Sequence, residues 1–162
     1  MGMTTQYQGE VYLSPSLDIQ KQKDARAAQI IEAFKVFWRT GYHADLGKDV
    51  PFHRPESMIQ SAIRHVHLRP LSSIPDAKWI KSFQRLESYR RPPSDRWLTY
   101  CVTEHRNCML ISYVDEKAHA LANDMSTLSE LALAAEWFFK EMGEFPLSES
   151  EHAELFEDKW QL

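Results

Sequence analysis

Two apolar runs joined by four polar residues decide the fold: residues 97–114 read WLTYCVTEHRNCMLISYV. Both runs are rich in the aromatic and β-branched residues that are typical of strands, and Glu104–Asn107 between them suits a short connection. Met109, Leu110 and Ile111 follow one another in the second run, which predicts a strand buried on both faces. The stretch therefore predicts an antiparallel β-hairpin inside a covered sheet.

Helices and further strands are predicted on either side of this hairpin. Apolar residues recur at helical spacing over two long segments, and two shorter apolar runs have the composition of strands. Residues 41–56 are predicted as a long connection, and Ser88–Asp95 as an exposed basic loop. The order predicts an α+β fold, a small and mostly antiparallel sheet flanked by helices. The remaining predicted elements are strands Val11–Leu13 and Ile63–Arg69, helices Asp24–Arg39, Glu56–Ala62 and Ser126–Met142, and a helix beginning at Asp76.

The length of 162 residues suits one domain. Residues 1–143 are predicted to form the α+β domain, and residues 144–162 an acidic C-terminal extension. Leu155, Phe156 and Trp160 fall on one helical face, so the extension is predicted to be helical and packed on the same domain. The alternatives are an interaction surface and an internal mimic of RNA that covers the basic part of the chain.

Charge is divided unevenly along the chain, although the net charge is only −4. Residues 1–117 carry 17 lysines and arginines against 13 aspartates and glutamates, whereas residues 118–162 carry 2 against 10. Between Arg64 and Arg106 there are nine basic residues and four acidic ones. This basic body indicates chemistry on a polyanion.

Several classes of protein are disfavoured by the sequence. No apolar run reaches the roughly 18 residues of a membrane span, and the first residues lack the pattern of a secretion signal, so no membrane partner is expected. Two cysteines are too few for a disulfide scaffold, which predicts reduced thiols and a cytoplasmic protein. The sequence has neither a phosphate-binding glycine loop nor Gly-x-Ser-x-Gly, which disfavours nucleoside triphosphatases and α/β-hydrolases.

The most informative motif is RHVHLR at residues 64–69, within a predicted strand. Because alternate side chains of a strand share a face, His65, His67 and Arg69 are predicted to point together to an open side of the sheet. Two imidazoles and a guanidinium suit metal-independent phosphodiester cleavage. One group takes the proton of a ribose 2′-hydroxyl, another protonates the leaving oxygen, and a cation stabilises the transition state. The alternatives are a histidine packed in the core and a metal site completed by His105, His119 or Asp124.

A second candidate segment, HALAND at residues 119–124, lies between the last predicted strand and the last predicted helix. His119 follows a strand end, where active-site residues often lie on loops held by a rigid sheet. Asp124 lies at the predicted start of the helix, so capping is one explanation for it. Under the catalytic hypothesis His65 and His67 are the candidate acid and base, and His119 or Asp124 completes or orients that pair.

A basic and aromatic series over residues 78–97 predicts contact with single-stranded RNA. Cations neutralise phosphates, and aromatic rings stack on unpaired bases. Arg85 is the predicted stabiliser of the transition-state charge, helped by Arg69 or Arg96. The predicted RNA contacts are Arg69, Lys81, Arg90, Arg91 and Arg96.

These motifs together resemble the YafO family, toxins of bacterial type II toxin–antitoxin pairs. The likeness covers most of residues 34–139, and the motifs follow in the same order with similar gaps. The family has Gly-Arg-Asp, His-Ile-His-Leu, Phe-Ser-Arg and Leu-Val-Tyr-Cys in four of the places. The matching segments here are Phe34–Gly41, Gly47–Asp49, His65–Leu68, Phe83–Arg85, Leu98–Cys101, His119–Asp124 and Ala135–Phe138.

The resemblance implies an mRNA interferase, an endoribonuclease that cleaves messages largely in association with the ribosome and is neutralised by a cognate antitoxin. It also implies a RelE-like fold and cleavage without a metal or other cofactor. Two alternatives are an RNA- or ribosome-binding module that inhibits translation without cutting, and a metal-dependent hydrolase with His65 and His67 as ligands. Under the leading hypothesis the catalytic residues are His65, His67, Arg85, His119 and Asp124.

Overall fold

The computed structural model describes residues 5–71, 77–81, 83 and 87–162, without the side chains of residues 77 and 78. In this described part of the chain, five strands form one sheet: β1 (Val11–Leu13), β2 (Leu46–Pro51), β3 (Ile63–Leu68), β4 (Trp97–Val102) and β5 (Cys108–Val114). Their order is β1-β5-β4-β3-β2, and only the pair of β1 and β5 is parallel. The predicted α+β fold with a mostly antiparallel sheet is confirmed.

Helices lie on both faces of the sheet. Among the described residues, short 3₁₀-helices are formed by Ser88–Arg90, Glu149–Glu154 and Asp158–Trp160. None of the helices in the described ranges is long and apolar enough to cross a membrane. The α-helices are α1 (Pro15–Lys23), α2 (Ala25–Thr40), α3 (Glu56–Gln60), α4 (Ala77–Lys81), α5 (Ala118–Leu121) and α6 (Met125–Met142).

The two long helices cover opposite faces of the sheet. Phe34 of α2 lies with its ring centroid 4.8 Å from that of Tyr100, on one face of β4. Phe138 of α6 contacts Tyr12, which shares the opposite face with Met109, its partner in β5. Side chains of the central strands are therefore covered from both sides, and all six residues of β3 and of β4 are buried.

The sequence locates α2 accurately because both of its ends carry local signals. The Asp24 side chain accepts a hydrogen bond from the Arg26 N–H, a standard N-terminal cap. Gly41 ends the helix with φ +85°, in the left-handed region that glycine adopts without strain. The predicted helix over Asp24–Arg39 is confirmed within a residue at each end.

Strand β2 was missed, since residues 41–56 were predicted as a connection. Gly47 and Pro51 interrupt the pattern of a strand, but β2 is an edge strand, where proline is tolerated. Gly47 also lies where other segments approach closely: a Cβ there would be 2.3 Å from the Pro92 carbonyl oxygen and 2.5 Å from the Trp79 ring. The glycine that weakens the strand signal is thus required by packing.

Helices α1 and α5 were also not predicted, because neither gives a strong apolar period. In α1 only Leu17 is buried, and the helix starts at Pro15 after the cap Ser14. Helix α5 has only four residues and follows Lys117, which has the left-handed φ of +57°. Such short or solvent-facing helices depend on tertiary packing more than on their own sequence.

The acidic extension is ordered and contains the 3₁₀-helices Glu149–Glu154 and Asp158–Trp160. Leu155 is buried, and the Phe156 ring packs 5.1 Å from Phe37 and 5.8 Å from Trp38. Among the described residues, the ion pairs of the extension join Lys159 to Glu151 and Glu154, which also belong to the extension. Apolar packing thus contributes to holding it on the domain.

Arg106 ties the extension to the rest of the fold. Its guanidinium is fully buried and stacks 4.0 Å from the centre of the Trp38 ring. It donates hydrogen bonds to the carbonyl oxygens of Leu155 at 2.7 Å and Trp38 at 2.9 Å, and also to that of Gln8. Burial lowers the pKa of Arg106 to about 10. One side chain thus joins the hairpin, α2, the N-terminal segment and the extension.

Candidate functional site

The two histidines of β3 share one face of the sheet, as predicted from their alternation. His65 pairs with Thr99 and His67 with Trp97 across the ladder to β4. However, His65 is only 8% exposed and His67 only 3%. The expectation of an open side is wrong at these two positions, because Ser94 and His119 lie against His67, and the Phe52 and Trp97 rings enclose His65.

Three imidazoles and one indole meet on this face, and we call them the imidazole cluster: His65, His67, Trp97 and His119. The His65 and His67 ring centroids are 5.4 Å apart, and those of His67 and His119 are 6.2 Å apart. The Trp97 ring contacts both ends, at 4.1 Å from His65 and 5.4 Å from His119. Two motifs that are far apart in the sequence therefore converge in the fold.

His67 is an uncharged ring whose Nδ1 is enclosed by polar groups. The backbone N–H of Ser94 donates to its Nδ1 at 2.8 Å, and the indole N–H of Trp97 does so at 3.2 Å. The Ser94 carbonyl oxygen, which can only accept, lies 2.7 Å from the same Nδ1, so the contacts of this nitrogen suit either neutral tautomer. Burial lowers the pKa of His67 to about 4, so the ring is uncharged near neutrality.

His65 is the least reactive of the three histidines. Its ring lies between Phe52, with centroids 4.6 Å apart, and Trp97. Its Nδ1 is buried without a hydrogen-bond partner among the described residues. Burial, and next the charge of His67, lower the pKa of His65 to about 3. The ring therefore supports the cluster as an uncharged packing element.

His119 is the solvent-facing member of the cluster, with a side chain 68% exposed. Its Nδ1 lies 2.9 Å from the Asp95 carboxylate, which also accepts the backbone N–H groups of Lys117 at 2.6 Å and His119 at 3.2 Å. The hydrogen bond from His119 is the main cause that lowers the pKa of Asp95. The carboxylate thus fixes the ring through Nδ1.

Lys48 adds a cation to this site that the sequence analysis did not assign. Lys48 lies two residues before Val50, the pairing partner of His65, at the irregularity of register between Leu46 and Asp49. The Lys48 charge contributes to lowering the pKa of both His65 and His67. With the described residues Lys48 forms neither an ion pair nor a side-chain hydrogen bond. Its place in the Gly47-Lys48-Asp49 motif was the signal that could have found it.

The family comparison matches the segment that contains this site. The family model described as "Toxin YafO, type II toxin-antitoxin system" matches residues 24–140. The chain belongs to this toxin family. A type II toxin has an antitoxin as its partner. No curated protein and no solved structure gave a significant match.

Asp124 of this YafO-family toxin caps α6, as one of the two predicted explanations had it. Its carboxylate accepts the backbone N–H groups of Ser126 at 3.1 Å and Thr127 at 3.4 Å, and the Thr127 hydroxyl at 2.8 Å. These hydrogen bonds lower the pKa of Asp124. The structure pairs Asp95, rather than Asp124, with His119.

Arg96 is occupied inside the YafO-family fold, which corrects its predicted role as an RNA contact. It is only 8% exposed, and its Nη2 lies 2.9 Å from the Asp115 carboxylate. It also donates to the Arg69 carbonyl oxygen. A guanidinium held in this way joins the end of β3 to the segment after β5 and is not presented to a phosphate.

The other predicted RNA contacts have different surroundings. Lys81 and Arg90 are exposed, and Arg90 lies 3.6 Å from Glu87. Arg69 is half-buried, 3.6 Å from Asp45. Arg91 is half-buried over the Tyr42 and Phe83 rings and donates to the Gly41 carbonyl oxygen at 3.0 Å. Arg85, the predicted stabiliser of the transition state, lies outside the described residues.

Within the described ranges, no three residues of the types His, Cys, Asp and Glu are close enough together to hold a metal ion. The third ligands proposed from the sequence are committed elsewhere: His119 bonds Asp95, Asp124 caps α6, and His105 lies on the turn between β4 and β5. Cys101 and Cys108 are buried free thiols, and burial raises the pKa of both.

On the opposite face of the sheet, a buried polar network surrounds Arg64. Its Nη2 lies 3.0 Å from the Asp49 carboxylate, and its Nε donates to the Tyr100 hydroxyl at 2.9 Å. Tyr100 in turn donates to Asp49 at 2.6 Å, and Arg64 Nη1 lies 2.9 Å from Nδ1 of His152 in the extension. Asp49 and its partners raise the pKa of Arg64 despite burial. The network is internally neutralised and holds β2, β3, β4 and the extension together.

Proposed function

We propose that this toxin is a ribosome-associated endoribonuclease that cleaves mRNA by metal-independent acid–base chemistry at the imidazole cluster. The family supports a toxin, and the sequence motifs point to RNA. The observation that carries the proposal is the exposed His119, fixed by Asp95, beside neutral His67 and the unpaired cation Lys48. A base, a hydrogen-bond donor and a cation are what cleavage at a ribose 2′-hydroxyl requires.

His119 has the role of general base in this mechanism. Its Nε2 takes the proton of the 2′-hydroxyl, the 2′-oxygen attacks the phosphorus, and the bond to the 5′-oxygen of the next nucleotide breaks. The leaving oxygen receives a proton from water, so the products are a 2′,3′-cyclic phosphate and a 5′-hydroxyl end. Asp95 stabilises the imidazolium that forms on His119.

The other cluster residues act on the phosphate or hold the site. Lys48 stabilises the added negative charge of the transition state, and the Nε2–H of His67 donates to a non-bridging oxygen. His65 positions Trp97 and His67 by packing. Arg85, which the sequence assigns to transition-state stabilisation, is retained as a second cation of the proposal.

The test compares two exposed histidines during controlled expression in bacteria. His119→Ala is expected to lose cleavage by roughly 100-fold or more, because it removes the general base. His105→Ala is the matched control, since its side chain is also 68% exposed and also lies beside a carboxylate. Growth and primer extension on transcripts are measured after induction. New 5′ ends at the wild-type level with His119→Ala would refute the proposed base.

One observation favours a second function, binding to RNA or the ribosome without cutting. The pKa of His65 and that of His67 lie far below neutrality, so the cluster offers fewer titrating groups than the sequence suggested. Such a module would stop translation while transcripts stay intact. Arrest of translation by the wild-type chain without any new 5′ ends would support this function over the nuclease.

A further inference from the structure

A cavity of about 830 Å³ is lined by Arg64 and Asp49 of the buried polar network and also by Phe52, whose ring packs 4.6 Å from that of His65. The end of α2, strands β2 and β3, residues 87–91 and the extension contribute its walls. The extension supplies residues from Glu149 to Glu157. The family match ends at residue 140, so this wall lies outside the matched segment.

The cavity lining is acidic. Its charged residues comprise the carboxylates of Asp49, Glu87, Glu149 and Glu157 and the guanidinium groups of Arg64 and Arg91. Arg64 and Asp49 neutralise each other in the buried network. Glu149 and Glu157 are exposed and form no ion pair with a described residue. The dipole of α2 adds to the negative potential in the cavity, because the C-terminal end of this helix borders the cavity at Thr40 and Gly41.

Aromatic rings form much of the remaining wall. Tyr42 and Tyr89 are about half exposed, and Phe156 and Tyr7 pack edge to face at 5.5 Å. The surface of the cavity is therefore aromatic and apolar inside and carries unpaired carboxylates from the extension. Aromatic faces and carboxylates both attract cations that carry an apolar stem, as lysine and arginine side chains do.

We propose that this cavity binds a segment of the antitoxin in which a lysine or arginine stands among apolar residues. The charge of the lining disfavours RNA, whose phosphates would approach more carboxylates than free cations. An antitoxin follows from the family, so the inference does not depend on the nuclease proposal. Since the extension supplies the wall with the unpaired carboxylates, it selects the cognate antitoxin by charge.

The test uses the purified full-length chain and synthetic 12-residue peptides in which Lys or Arg stands among Leu and Val, with matched peptides that carry Gln in place of Lys and Arg. Peptides that contain Lys or Arg among apolar residues are expected to bind, and binding is expected to weaken as salt rises. The double variant Glu149→Gln/Glu157→Gln is expected to weaken binding about tenfold, measured by fluorescence anisotropy. Glu130→Gln/Glu136→Gln, two exposed carboxylates on α6, is the matched control with unchanged affinity.

A second variant tests the aromatic wall. Tyr89→Ser is expected to weaken the same peptides, because it removes a ring about half exposed at the cavity. A single-stranded RNA octanucleotide serves as the competing probe and is expected not to displace the peptide. Equal peptide affinity in both Glu-to-Gln double variants would overturn the proposal. So would displacement by the octanucleotide, or strongest binding by peptides that lack Lys and Arg.

Discussion

The same side chain has three different chemistries in this molecule, according to what surrounds it. His65 is enclosed by rings and lacks a partner for Nδ1, whereas His67 accepts two N–H donors. His119 faces solvent and is held by Asp95. Burial therefore favours an uncharged ring at the first two positions. The residue type alone does not specify the role.

Lys48 offers a prediction that is independent of His119. Lys48→Met keeps the apolar stem and removes the charge, so cleavage is expected to fall by roughly 100-fold with little loss of stability. The change is measured as the initial rate of transcript cleavage by purified protein. Lys140→Met, an exposed cation on α6, is the control and is expected to cleave at the wild-type rate. A full rate for Lys48→Met would exclude the cation from the site.

At the residue scale, the sequence predicted which face of the sheet the histidine side chains occupy better than it predicted which residues surround them. The strand alternation correctly placed His65 and His67 on one face, because that depends on backbone geometry alone. Exposure could not be predicted in the same way, since Ser94 and His119 come from segments far from β3 in the sequence. Asp95 was missed as the partner of His119 because the two residues are 24 positions apart in the sequence. Asp124 could be assigned as a cap, because capping depends on the residues next to it.

At the level of elements, local sequence patterns predicted the helices that bury an apolar stripe and the strands whose residues are mostly buried. Helices α2 and α6 and strands β3, β4 and β5 belong to this group. Strand β2 and helix α1 were not predicted. Strand β2 is an edge strand that contains a glycine, and α1 has one buried residue, so both elements depend on tertiary contacts. The edge strand that was missed is also the one that carries Lys48.

The extension provides a prediction for a single element. Arg106→Met removes the donors to the carbonyl oxygens of Gln8, Trp38 and Leu155. The expected loss of unfolding free energy is about 3 kcal/mol or more, because each buried acceptor left unpaired costs roughly 1–3 kcal/mol. Urea unfolding measures this loss, and amide hydrogen exchange is expected to accelerate over residues 149–160.

The exposed Arg54→Met is the control for this change, since its guanidinium forms no ion pair with a described residue. It is expected to leave both urea unfolding and exchange in the extension unchanged. Unaltered exchange over residues 149–160 in Arg106→Met would show that apolar packing of Leu155 and Phe156 alone holds the extension.

For the whole molecule, buried neutral histidines predict a loss of stability in acid. The pKa of His65 and His152 is lowered to about 3, and that of His67 to about 4, from 6.5. Below pH 6.5 the unfolded chain binds protons that the folded chain does not, so unfolding becomes easier as pH falls toward 4. Each ring is expected to contribute up to about 2 kcal/mol of this loss at pH 5.

The measurement is the unfolding free energy at pH 7.5 and at pH 5. His65→Phe keeps a ring between Phe52 and Trp97 and removes the titrating group, so its loss on acidification is expected to be smaller than that of the parent. His105→Gln, which removes an exposed ring, is the control and is expected to lose as much as the parent. An equal loss in His65→Phe and the parent would contradict this explanation.

The position of the extension in the chain has a consequence for biosynthesis. Lys48, the imidazole cluster and Asp95 all precede residue 120, whereas one wall of the acidic cavity comes from residues 149–157. A ribosome translating this message therefore releases every described component of the nuclease site before it releases that wall. If both proposals hold, neutralisation through the cavity has to wait until the last segment has emerged and docked on Arg106.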